Sequence, residues 1–126
     1  MKGFVLIAMI FCHVFDDFKI QAGVLNNLKQ KSWWEENAPA PIYKKDYLMA
    51  LAAHSLSWAF MIQLPVALYY HFDVPNLFFF WFVLNAIIHG VVDDLKANRH
   101  RINLITDQSI HYFQVVGTWA ALIALL

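Results

Sequence analysis

Apolar residues along this chain fall into four long stretches separated by three polar connections. The first covers residues 3–15, and helical spacing carries it on through Ile20, Val24 and Leu28. The second covers 47–70, interrupted only by Pro65; the third covers 77–92 and the fourth 102–126. A membrane span needs about 20 residues, with a range of about 17–25. The second and fourth stretches reach that length alone. The first and third reach it only if their polar ends, 16–19 and 93–96, belong to the helix. Polar side chains at such depth face the protein interior or snorkel. The pattern predicts an all-α fold, an integral membrane bundle of four transmembrane helices forming a single domain over residues 1–126.

Charge in the connections sets the orientation. The first connection holds Lys19, Lys29, Lys31, Lys44 and Lys45, and the third holds Lys96, Arg99 and Arg101, whereas 71–76 holds no Lys or Arg. By the positive-inside rule the first and third connections are cytoplasmic and both termini lie outside. Lys2 alone argues the other way. No small-x-small cleavage site follows the first apolar run, so it is expected to stay as a span rather than leave as a signal peptide. Residues 31–41, with two Trp, two Glu and two Pro, read as an interfacial loop.

Composition agrees with this class. Hydrophobic residues make up 60% of the 126 positions and charged residues 14%, against roughly 45–50% and 25% in soluble domains. That excludes disorder. The single cysteine, Cys12, excludes a disulfide framework. Nine basic and nine acidic residues give no basic excess, so nucleic acid is not an expected partner; the lipid bilayer is. Gly117, Ala120 and Ala121 offer a small-residue face on which a second copy can pack as a homodimer.

Six histidines remain to be explained, and four of them lie in the apolar stretches. Three have an aspartate four residues away: His13 with Asp17, His89 with Asp93, and Asp107 with His111. Residues at i and i+4 share a helix face, about 6 Å apart along the axis. Helices one and three run inward and read His then Asp; helix four runs outward and reads Asp then His. All three therefore place His deeper and Asp nearer the cytoplasm. His54 on helix two falls at the same depth, so the four imidazoles form one layer roughly 9–12 Å in from the charged boundary. Polar stripes extend these faces through Gln21, Asn85, Asn103 and Gln114. Interhelical hydrogen bonding alone returns only about 0.6–2 kcal/mol per contact in membranes, a small return for burying three acids. His71 and His100 fall in connections and are expected in solvent.

The candidate metal ligands are His13, Asp17, His54, His89, Asp93, Asp107 and His111. Four imidazoles and three carboxylates exceed the needs of one tetrahedral ion and suit two. Mixed nitrogen and oxygen donors without thiolate fit a divalent metal, zinc first, with manganese or iron as alternatives. Such ions lower the pKa of bound water to about 7 and can clamp attacking and leaving oxygens. A hydroxide just below the cytoplasmic headgroups can attack a phosphoester or other ester, including a lipid-linked one. The second acids of the two doublets, Asp16 and Asp94, are candidate general bases. Lys96, Arg99 and Arg101 are candidate substrate-binding cations. Competing functions are a non-catalytic membrane interaction protein with a structural metal or polar cluster, a haem carrier, and a proton or ion conductor.

The run His13-Val-Phe-Asp-Asp17-Phe18-Lys-Ile-Gln21 resembles the His-x-x-x-Asp-Phe-x-x-Gln signature of a small polytopic membrane family of bacteria and phages, the domain of unknown function 3307. Ala-His54-Ser-Leu, His89-Gly-Val-Val-Asp93-Asp-Leu-Lys96 and Asp107-Gln108-Ser-Ile-His111 extend the resemblance, in the same order, over nearly the whole chain. Asp16 departs from the pattern, where a small residue is usual. More distantly the chain is similar to bacterial membrane-bound metal-dependent hydrolases. The resemblance implies the same seven ligands, a hydrolase, and a bacterial inner-membrane location, with a phage origin also open.

Overall fold

The computed structural model describes residues 1–20 and 23–126, and all regular structure among them is helical. Gln21, which closes the first polar stripe, lies outside the described residues. Helix α1 (Lys2–Phe15) continues as a π-helical turn over Asp16–Ile20. Two short helices follow, α2 (Val24–Leu28) and α3 (Lys31–Asn37), then a single 3₁₀ turn over Pro41–Tyr43. The long helices α4 (Asp46–Tyr69) and α5 (Asn76–Ala97) come next. Helix α6 (Leu104–Trp119) ends in a second π-helical turn, Ala120–Ala124.

Helices α1, α4, α5 and α6 pack in a ring: α1 lies against α4 and α6, and α5 lies against the same two. The 70–75 link is short enough to make α4 and α5 antiparallel neighbours. It turns on His71 and Phe72, both left-handed at φ 53° and 67°, with the Phe72 N–H on the Ala67 carbonyl at 2.8 Å. α1 is antiparallel to α6, since Trp119 donates its indole N–H to the Lys2 carbonyl at 2.8 Å. Two segments, Pro41–Tyr69 and Asn76–Ala97, are long and apolar enough to cross a membrane. α1 and α6 are shorter, and α6 carries more polar residues.

The bundle interior has two halves. Val5, Met9, Trp58, Ile62, Val66, Val115, Leu122 and Ile123 form an apolar core at the N-terminal end of α1. The other half is polar, with His13, Asp16, Lys29, His54, His89, Asp93, Asp107 and His111 all buried. Gln63, Asn85, Gln114 and Thr118 join the halves. Asn85 Nδ2 donates to Thr118 Oγ1 at 2.8 Å and to Gln63 Oε1 at 3.2 Å, and Gln114 Nε2 donates to the Asn85 carbonyl at 3.1 Å.

Close approach of α4 and α5 beside the polar half depends on Gly90. A Cβ there would stand 2.8 Å from Ser55 Oγ, which donates to the Leu51 carbonyl at 2.7 Å. Gly90→Ala is expected to destabilise the fold by about 1–3 kcal/mol through overpacking. Adding Ser55→Ala should recover most of that loss, because the pair then couples in a double-mutant cycle. Thermal unfolding in detergent measures both; additive effects would show that the two helices do not meet at this point. At Gly117 the Trp81 ring lies 3.9 Å from a would-be Cβ, an ordinary van der Waals distance, and the position is half-buried.

Candidate metal centre

Each long helix brings one part of the site. The π-helical turn after α1 carries Asp17, α4 carries His54, α5 carries His89 and Asp93, and α6 carries Asp107 and His111. A π turn holds more residues than an α turn and recurs at functional sites. Here it lets two consecutive acids turn inward: Asp16 is fully buried and the Asp17 side chain is 7% exposed.

Four donor atoms converge on one point: Asp17 Oδ1, His54 Nε2, His89 Nε2 and Asp93 Oδ2. His54 Nε2 lies 2.8 Å from Asp93 Oδ2, 2.9 Å from His89 Nε2 and 3.3 Å from Asp17 Oδ1. His89 Nε2 lies 3.7 Å from Asp93 Oδ2 and 3.9 Å from Asp17 Oδ1. The sixth pair, the two carboxylate oxygens, is within 4.8 Å. A tetrahedral zinc ion with ligands at about 2.0–2.1 Å requires edges of about 3.3 Å between donor atoms. The observed edges scatter around that value. Two imidazole nitrogens that face each other need a cation or a shared proton between them. His54 Nδ1 and His89 Nδ1 have no hydrogen-bond partner among the described residues, so both rings concentrate their polar contacts on Nε2.

A second group adjoins the first: Asp17, Asp107 and His111 also bring donor atoms within 4.8 Å of one another. His111 Nε2 stands 3.2 Å from Asp107 Oδ1 and 3.3 Å from Asp93 Oδ1. Asp93 thus turns one oxygen to each group, and Asp17 belongs to both. Gln114 Nε2 donates to Asn85, which leaves Gln114 Oε1 to accept from His111 Nδ1 at 3.0 Å. His111 therefore carries a proton on Nδ1, and its Nε2 faces two carboxylates, which either a second ring proton or a bound cation satisfies. A hydrogen bond behind the ring is the usual support of a metal-bound histidine.

No protein-family model, curated protein or solved structure matches the chain.

Supporting residues hold the far oxygens of the same carboxylates. Trp58 donates its indole N–H to His13 Nδ1 at 2.8 Å, so His13 carries its proton on Nε2 and donates to Gln108 Oε1 at 3.0 Å. Gln108 Nε2 in turn donates to Asp17 Oδ2 at 2.7 Å and Asp107 Oδ2 at 3.0 Å. Lys96 Nζ reaches Asp107 Oδ2 at 3.1 Å. Asp17 and Asp107 are each left with Oδ1 for an ion. Lys29 Nζ, by contrast, lies 3.0 Å from Asp93 Oδ2, the oxygen that faces the first group, the two side chains 7% and 1% exposed.

Six of the seven residues expected as ligands come together. The seventh, His13, spends both ring nitrogens on Trp58 and Gln108 and belongs to neither group. It orients the ligands through Gln108. Asp16 Oδ1 accepts from Ser57 Oγ at 2.9 Å on α4. Asp94, expected as a second general base, faces an outer groove between α4 and α5, where it binds Asn98 Nδ2 at 2.8 Å and Arg99 Nε at 3.1 Å. Its position five residues after His89 turns it off the site-facing side of α5. Of the cations expected to bind substrate, Lys96 reaches the cluster. Arg99 is taken by Asp94, and Arg101 is exposed with its N–H on the Leu95 carbonyl. His71 and His100 are exposed.

Gln108, Trp58 and Lys29 were not assigned a role by the sequence pattern. Trp58 follows His54 by four residues and so shares its face, a signal available in the sequence. Lys29 gave none, since it sits just past a short helix outside the four apolar stretches.

Proposed function

We propose that this chain is a membrane-embedded metal-dependent hydrolase with a two-metal His/Asp site near the cytoplasmic end of a four-span bundle. The observation that carries this reading is the convergence of Asp17 Oδ1, His54 Nε2, His89 Nε2 and Asp93 Oδ2, at spacings that scatter around a tetrahedral edge, in the buried polar half of the bundle. The two groups suit different tasks. The first supplies four protein ligands, the closed set of a structural ion; the second supplies three and leaves a position for water, the pattern of a catalytic ion. A divalent ion bound there supplies a water acidified to near neutrality. The chain's own residues fix the carboxylates through Gln108, Lys29 and Lys96 and exclude bulk water.

Four spans are supported by what the shorter helices expose. Phe4, Ile7 and Phe11 on α1 and Phe113 and Val116 on α6 face outward, while His13 on α1 and Asp107, His111, Gln114 and Thr118 on α6 are buried. Large apolar surface outside and buried polar groups inside suit a lipid surround. The bacterial inner membrane, the resemblance to the domain of unknown function 3307, and zinc over manganese or iron belong to this same proposal. Haem is disfavoured by geometry: the His89 and His111 rings stack at 4.0 Å between centroids and His54 and His89 lie at 4.8 Å, leaving no slot for a macrocycle.

Detergent-purified protein is expected to hydrolyse a chromogenic phosphoester or carboxylic ester, to lose that activity to a chelator, and to regain it with zinc. His89→Ala should lose the metal and the activity while still inserting into membranes; Lys45→Ala should keep both. A metal-loaded protein that cleaves neither ester class would leave only a structural metal cluster.

A further inference from the structure

We propose that the substrate of this site is a phosphate-type oxyanion, and that Lys29 and Lys96 supply the ammonium donors that hold it. This inference rests on the two-metal reading above and names its substrate class.

Lys29 is held firmly for a residue that caps a five-residue helix. Asn98 Nδ2 donates to the Lys29 carbonyl at 3.1 Å, and the Lys31 N–H donates to Asn98 Oδ1 at 2.6 Å. These bonds pin the α2–α3 junction to the end of α5 and direct the Lys29 side chain into the bundle, onto Asp93 Oδ2. Lys96 comes from α5 itself onto Asp107 Oδ2, 27% exposed where Asp107 is fully buried. One ammonium therefore attends a ligand carboxylate of each group. Lys29 is buried and Lys96 is partly exposed, and each is paired with a carboxylate; a buried ammonium without an anionic partner is strongly disfavoured.

The charge balance of the loaded site selects an anion. Four buried acids, Asp16, Asp17, Asp93 and Asp107, and two ammoniums sum to minus two with neutral imidazoles. Two divalent ions would turn that sum to plus two. The carboxylates would then be neutralised by the ions, and the two ammoniums would be left without sufficient counter-charge beside a buried cluster. A doubly charged oxyanion such as a phosphate monoester restores neutrality and accepts charge-assisted hydrogen bonds from both lysines. A neutral carboxylic ester does not.

The test is equilibrium binding of inorganic phosphate to the full chain in detergent, with metal content measured on the same samples. Zinc-loaded protein is expected to bind about one phosphate per chain, and metal-free protein none. Lys29→Met, compared at equal zinc occupancy, should weaken phosphate binding at least about tenfold, and Lys29→Arg should restore it. The Arg variant also shows whether a loss in the Met variant is one of folding. Phosphatidic acid in the micelles, set against soluble glycerol phosphate, distinguishes a lipid headgroup from a free phosphate as the source; displacement of phosphate by either upholds the class. Zinc-loaded protein that ignores phosphate, or a Lys29→Met variant that binds it as wild type does, overturns this inference and leaves the metal site standing. A chain that takes up no zinc overturns both.

Discussion

Asp93→Asn is expected to empty the metal site and to destabilise the protein more than any other single change in the cluster. Asp93 is the only described side chain with one oxygen toward each ligand group, Oδ2 at 2.8 Å from His54 and Oδ1 at 3.3 Å from His111. It is also the counter-charge of Lys29. The amide keeps the shape and removes the charge. Leaving one member of a buried ion pair unpartnered costs about 3–5 kcal/mol. The double variant Asp93→Asn with Lys29→Met should therefore regain stability while still holding no metal. Thermal unfolding and elemental analysis of the three proteins separate the two roles; an Asp93→Asn variant with wild-type metal content would remove Asp93 from the ligand set.

Trp58 carries the second large effect. It is fully buried, stacks on His89 at 4.2 Å between ring centroids, and fixes the His13 tautomer through its N–H. Trp58→Ala is expected to cost about 3–5 kcal/mol by cavity formation. Trp58→Phe tests the hydrogen bond with less loss of packing. It keeps an aromatic face for His89 but frees His13, and with it Gln108 and the far oxygens of Asp17 and Asp107. Metal affinity should fall by about 10–100-fold, the usual cost of losing a support behind the ligands. Chelator competition measures this; unchanged resistance to chelator in Trp58→Phe would mean that the His13–Gln108 chain does not organise the site.

The four long helices and the shared depth of His54, His89 and His111 were legible in the sequence, because helical period and chain direction alone fix which residues reach one level. The i, i+4 rule also brought Asp93 and Asp107 to the site. It failed where local geometry departs from an ideal α-helix or where contacts are remote in sequence. At the π turn Asp16–Ile20 both acids of the doublet turn inward, and the i, i+4 rule alone picks out only Asp17. His13 has the same spacing to its acid as His89 does, yet Trp58 and Gln108 claim both its nitrogens. Lys29 read only as a cytoplasmic charge, whereas it is held on a buried carboxylate, as is Lys96, the one expected substrate-binding cation that reaches the cluster. Arg99 and Asp94 neutralise each other on the outer face. No periodicity distinguishes a lysine that waits at a membrane surface from one that reaches into a core.

The most direct measurement is the metal content of the wild-type chain, purified in mild detergent without added chelator and quantified by elemental analysis. About two divalent ions per chain are expected, both lost in Asp93→Asn. A wild-type protein that remains folded and holds no stoichiometric metal, even after dialysis against zinc, manganese or iron, would contradict the metal centre and leave the histidines and aspartates as a hydrogen-bonded polar core.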